Sequence, residues 1–239
     1  MGITMLFCAR AARELSDERA GRIAVLTLLG CWGLLLRGHE ISFALTPLAG
    51  TAIAFYGLSV MDRQPRDGRL WLAIGSAITA LSAGLVPGLI LLAPLGTMMA
   101  LRPAWRRPAI VRSAVLCLVV TLMAGGLWPA MLWFGSSIPA QQWWHAALGT
   151  QGLAQIGRPP EAIYFLRLMP WYALPALPIA LWVWIRERKE LSENTALLLP
   201  LVTFIVMLLG FSLVREPRDD MGLPLLVPLV VVAVLALDR

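Results

Sequence analysis

Charge is scarce in this sequence. Only 14% of the 239 residues are Asp, Glu, Lys or Arg, where a soluble domain carries about a quarter. A fold with so few ions has no polar surface to turn towards water. No ionisable residue falls in the middle of an apolar run, and proton- or ion-coupled transporters carry such residues near the membrane midplane. The phosphate-cradling pattern GxxxxGK and the zinc pattern HExxH are both missing, so neither a metal nor a cofactor is expected. Cysteine is nearly absent too. Cys31 and Cys117 lie inside apolar runs and Cys8 near the basic N-terminus, which predicts no disulfide. The first 20 residues hold no apolar core followed by a small-residue cleavage site, so no signal peptide is expected. Neither an internal repeat nor a low-complexity tract is found.

What is abundant is apolar sequence: 59% hydrophobic residues and a mean hydropathy of +0.74. The apolar runs are continuous and do not alternate with period two, which argues against a transmembrane β-barrel. Long apolar runs between short charged clusters predict an all-α, polytopic helical transmembrane protein. One transmembrane domain over 1–239 is expected, with about eight membrane segments: 21–36, 41–61, 70–83, 88–101, 114–134, 163–185, 196–214 and 223–237. A polar, aromatic loop over 135–162 separates the fifth from the sixth. The apolar stretch 70–101 is too long for one crossing and short for two. AGLVPG at Ala83 to Gly88 breaks it, because Pro87 removes a helix hydrogen bond and Gly84 and Gly88 permit turns. A short helical hairpin joined around Gly84 to Gly88 follows. Ahead of the first segment, Met5, Leu6 and Phe7 read as the end of a helix on the membrane or the remainder of an earlier crossing.

The net charge of +6 does not point to nucleic acid, because the basic residues fall in short clusters between apolar runs. With the N-terminus inside, the inner ends hold Arg10, Arg13, Arg19 and Arg22, then Arg63, Arg66 and Arg69. They also hold Arg102, Arg106, Arg107 and Arg112, then Arg186, Arg188 and Lys189, and last Arg239. That makes fifteen of the 20 basic residues, a bias that predicts both termini in the cytoplasm of a bacterial inner membrane. Trp128, Trp133, Trp143, Trp144 and Trp171 then gather at the outer interface, as an aromatic belt does.

Polar chemistry is therefore expected at the membrane surface, and the outer face draws attention because cations there run against the orienting rule. Arg37, His39 and Glu40 end the first segment. They read either as an ordinary polar cap or as a carboxylate with basic neighbours, able to act as a base or hold a phosphate. His145, beside Trp143 and Trp144, reads as a substrate contact or as the polar tip of an interfacial aromatic cluster. Arg158 and Arg167 flank the entry to the Pro-rich run and either bind a lipid phosphate or snorkel to headgroups. Arg215 and Arg218 stand among Glu216, Asp219 and Asp220, a cluster that can also pair with itself.

The run LMPWYALPALPIALWVW with its basic inner loop, then LLLPLVTFIVMLLGFSL, a short charged loop and LPLLVPLVVVAVLAL, resembles the C-terminal membrane half of glycosyltransferase family 39. These polytopic GT-C enzymes include protein O-mannosyltransferases and lipid A aminoarabinose transferases. ITALSAGLVPGLILLAPL resembles the family's segment of two short helices, and the likeness covers roughly Gly21 to the C-terminus. The resemblance implies transfer of a sugar from a polyprenyl-phosphate donor at the outer face. An acidic residue of the first outside loop would act as base, basic residues would neutralise the departing lipid phosphate, and a membrane lipid would be the partner. The metal-binding DxD motif of soluble nucleotide-sugar enzymes does not occur here. The family's first crossing and long acidic loop have no counterpart in the sequence, so its catalytic carboxylate carries over to no position, and Glu40 is a candidate by location alone. The sequence is accordingly expected to be part of a longer chain or a member without activity of its own. The competing expectation is a non-catalytic membrane scaffold or a subunit of a lipid-handling complex, with the protein partner unspecified.

Overall fold

The computed structural model describes residues 1–37, 45–135, 163–186, 194–212 and 222–237. Every regular element among them is a helix. They are α1 (Gly2–Leu15), α2 (Glu18–Gly30), α3 (Trp32–Arg37), α4 (Leu45–Met61), α5 (Pro65–Ala83), α6 (Leu85–Ile90), α7 (Ala93–Leu101), a 3-10 turn (Pro103–Arg106), α8 (Pro108–Gly135), α9 (Tyr164–Tyr172), α10 (Ala176–Arg186), α11 (Thr195–Ser212) and α12 (Leu223–Leu237).

The centre is α12. Its sequence LPLLVPLVVVAVLAL is apolar on every side, and a helix apolar all round belongs in an interior. Each side chain from Leu223 to Leu235 is buried, enclosed by α1, α2, α4, α10 and α11. The closest helix pair is α4 with α5. Gly50 and Gly57 on one helix meet Gly75 and Gly68 on the other, in antiparallel order. A Cβ built on Gly57 would fall 2.7 Å from the Gly68 carbonyl oxygen, and one on Gly68 would fall 2.8 Å from that of Gly57. Seven residues are close to two helical turns, so both contacts lie on one seam. In lipid, where apolar burial drives little association, such backbone-to-backbone packing is what holds helices together.

α8 runs beside α5 in the same direction. Ser113 donates to the Pro65 carbonyl (3.3 Å), Cys117 to that of Arg69 (3.4 Å), and the Ser76 and Thr121 hydroxyls pair at 2.7 Å. Ser113, Cys117 and Thr121 are four apart, one face of the helix. All three thiols, Cys8, Cys31 and Cys117, are buried and free.

The expected hairpin is present, with a shifted turn. α5 ends at Ala83 and the break is Gly84 alone, at φ 103°, a backbone conformation natural only to glycine. Pro87 is helical, contrary to its expected part in the break. It is the third residue of α6, where its missing N–H has no intrahelical partner to lose. Gly88 lies back against Ala80 and Ser76 of α5. The returning arm is two short helices, α6 and α7, separated at Leu91 and Leu92.

Two other stretches differ from the sequence reading. The N-terminal residues form a packed helix: Thr4, Phe7, Cys8, Ala11 and Ala12 of α1 are buried, and Phe7 stacks at an angle with Tyr56 and Trp71, ring centroids 5.6 and 5.1 Å away. The run 163–185 is two helices, α9 and α10, bent 103° apart. Pro175 has no N–H to donate and disfavours helical geometry at Leu174.

The charged connections gather at one end. Arg13 pairs with Glu18 (2.6 Å), Arg63 with Glu14 (3.0 Å) and Arg107 with Asp62 (3.8 Å). The α1–α2 turn, the α4–α5 turn and the start of α8 are thereby one surface. Among the described residues, Pro108–Leu127 and Thr195–Ser212 are by themselves long and apolar enough to cross a membrane, and α9 with α10 would make a third, bent span.

Candidate functional site

The opposite end is organised by α9. Its sequence YFLRLMPWY puts Phe165, Met169 and Tyr172 on one face, and all three are buried. Leu166, Arg167, Pro170 and Trp171 face outwards, with Trp171 74% exposed. Arg167 stands one turn before Trp171 on that face, so a cation and an amphipathic aromatic share the outer surface of one short helix.

Three other elements close on the buried face. The Tyr172 ring lies against Gly33 of α3, in the space a Cβ would fill. The Trp32 N–H donates to the Leu174 carbonyl at 3.1 Å, fixing the same junction. Phe165 meets Phe211 near the end of α11, with ring centroids 6.5 Å apart. Gly222, at the start of α12, sits where an added Cβ would fall 3.2 Å from Leu168 and 3.4 Å from Met169 and Tyr172.

This junction orders the candidate residues. Arg167 is described and exposed. Arg37 is the last residue of α3, one turn beyond Gly33. His39 and Glu40 lie outside the described residues, two and three positions further on. Arg215 and Arg218 also lie outside them, in the segment 213–221. The two described anchors of that segment, the end of α11 and Gly222, both touch α9. Arg158 and His145 fall in 136–162, outside the described residues, between α8 and α9. The structure thus packs the buried face of α9 against the helix ends that lead to Arg37, Arg215 and Arg218, with Arg167 on the outward face of the same helix.

Sequence reasoning missed Gly33, Tyr172 and Gly222, whose contacts build the junction. Their signal was faint: two glycines beside aromatic or proline-containing stretches, and one tyrosine among tryptophans. α3, α9, α10, α11 and α12 contain no Asp or Glu, so the helices of this end supply guanidinium groups and no carboxylate. Among the described residues no three His, Cys, Asp or Glu side chains group as metal ligands.

Over 99% of its length the chain matches the crystal structure of ArnT from Cupriavidus metallidurans bound to undecaprenyl phosphate, with a TM-score of 0.78 and 20% sequence identity. The fold is ArnT-like. The chain spans 44% of the length of that ArnT chain, so what is shared is the arrangement of helices over less than half of the larger protein. No protein-family model and no curated protein matches the sequence. The all-α architecture, the membrane-competent helices and the ArnT-like fold together make this a polytopic integral membrane protein.

Proposed function

We propose that this chain holds a polyprenyl phosphate at the end where α3, α9, α11 and α12 meet, as the membrane part of a GT-C glycosyltransferase. The observation that supports the reading is the α9 junction, where the helix that bears Arg167 packs against α3, the end of α11 and the start of α12, the helix ends next in sequence to Arg37, Arg215 and Arg218. Guanidinium groups suit a phosphate monoester, because they offer paired, charge-assisted hydrogen bonds and stay protonated at the edge of a low-dielectric medium. The ArnT-like fold supports the same ligand class, since ArnT was crystallised with undecaprenyl phosphate.

In the reaction proposed, an acceptor nucleophile attacks the anomeric carbon of the lipid-linked sugar. The bond from that carbon to the phosphate oxygen breaks, and the lipid phosphate leaves with the bonding electron pair. The arginines stabilise this charge as it develops. The acceptor's proton needs a base, and Glu40, three residues beyond the end of α3, is the candidate. The orientation proposed is the outer face of a bacterial inner membrane, with both termini cytoplasmic.

The second reading is a lipid-phosphate-holding protein without transferase activity, because the family's catalytic carboxylate carries over to no position of this sequence. Binding and turnover separate the two. Purified protein should bind polyprenyl phosphate, and Arg37→Ala or Arg215→Ala should each weaken binding by about 1.5–3 kcal/mol, the worth of a hydrogen bond to a charged group. If neither substitution changes binding, the arginines only orient the chain and the site is refuted. If the wild type turns over a lipid-linked sugar and Glu40→Gln does not, the transferase reading stands. Binding without turnover leaves the lipid-holding reading.

A further inference from the structure

The arginines of the charged end are not all accounted for by the fold. Arg13 and Arg63 have carboxylate partners. Arg106 donates to the Met99 and Ala100 carbonyls at 2.8 and 2.9 Å, capping the end of α7. Arg107 faces Asp62 at 3.8 Å. Arg66 and Arg112 are exposed, Arg69 is half-buried, and none of the three has an ion-pair partner among the described residues. They lie on one seam. Ser113 bonds the Pro65 carbonyl and Cys117 that of Arg69, so the first turns of α5 and α8 run side by side, with Arg66 and Arg112 adjacent in sequence to the bonded residues. The first turn of α8 contains no acid, and Asp67 is the carboxylate nearest in sequence to Arg66 and Arg69.

Beyond Arg112 the surface changes character. Val115, Leu116, Val119, Leu122 and Met123 follow at spacings of three and four along α8, exposed by 55, 46, 44, 44 and 68%. A cationic patch with no ion-pair partner among the described residues therefore opens onto an apolar stripe about 12 Å long, from the helical rise of 1.5 Å per residue. A free anion would use the first part only. An anionic lipid uses both.

We propose that the charged end carries a site for an anionic phospholipid, its phosphate held between Arg66 and Arg112 with Arg69 behind it, and its acyl chains along the exposed face of α8. The site is separate from the α9 junction, at the opposite end of the helices.

The test is lipid retention by the purified full chain, measured by native mass spectrometry in detergent. Phosphatidylglycerol and phosphatidylethanolamine are supplied in equal amounts. Phosphatidylglycerol should be retained preferentially. Arg66→Gln and Arg112→Gln should each lower that preference about fivefold, the factor for about 1 kcal/mol per basic residue near an anionic surface. Arg19→Gln, which removes an exposed charge from the α1–α2 side of the same end, should leave it unchanged. Should the Gln variants fail to fold, the wild type suffices: phosphatidylglycerol, and not phosphatidylethanolamine, should protect Arg66 and Arg112 from phenylglyoxal. No preference in the wild type, or equal loss with Arg19→Gln, would mean that these arginines serve orientation alone and would overturn the proposal. Competition by inorganic phosphate as strong as by the lipid would overturn it as well, in favour of a free-anion site.

Discussion

Gly57 and Gly75 set how closely α4 and α5 approach. At Gly57 and Gly75 the neighbours of an added Cβ are backbone atoms of the facing helix, which cannot rotate out of the way. Gly75→Ala should therefore destabilise the protein by about 1–3 kcal/mol, the usual cost of overpacking. Gly96 of α7 has nothing within 4 Å of an added Cβ. Gly96→Ala should stabilise by up to about 1 kcal/mol, from helix propensity. Thermal unfolding of the two variants in one detergent compares them, and equal shifts of the same sign would refute the α4–α5 seam. Arg167 shows the opposite kind of legibility. As a cation on the expected outer side it was readable from sequence. The packing of its helix against the ends of α3, α11 and α12 was not, because that depends on Gly33 and Gly222 meeting Tyr172 across the fold.

At the scale of elements, the runs without interruption were the readable ones. α12 spans Leu223–Leu237, as its unbroken apolar sequence predicts, and α5 stops at Ala83 because only glycine suits the next position. α1 was hidden. Arg10, Arg13 and Glu14 interrupt its apolar run, although Thr4, Phe7, Cys8 and Ala11 are spaced as a buried stripe. The α9–α10 break was hidden for another reason: the run is long enough for one crossing, and three prolines within it permit several break points. The start of α2 rests on a local device. The Asp17 carboxylate accepts the Ala20 N–H at 2.7 Å, an N-cap of the ordinary kind. Asp17→Ala should cost about 1 kcal/mol, read as a lowered unfolding midpoint, while Asp17→Asn should retain most of the stability. Equal losses from the two would show that charge, and not the cap, matters there.

For the molecule as a whole, one end is tied by ion pairs and the other by aromatic and glycine contacts around α9. Sequence predicts the first end to be cytoplasmic. Cysteines placed at Gln151 and at Asn194 report on this directly, since the native thiols are buried. A membrane-impermeant maleimide added to intact cells should label the first position and not the second, and the reverse pattern would invert the orientation. The functional reading stands on the other end. A polyprenyl phosphate carrying a diazirine beside its phosphate, photolysed with the wild-type protein, locates that phosphate by peptide mass spectrometry. Adducts on 164–172 and 213–222 are expected, and Arg167→Ala should diminish them. Adducts confined to the α5–α8 end, or adducts indifferent to Arg167, would contradict a lipid-phosphate site at the α9 junction.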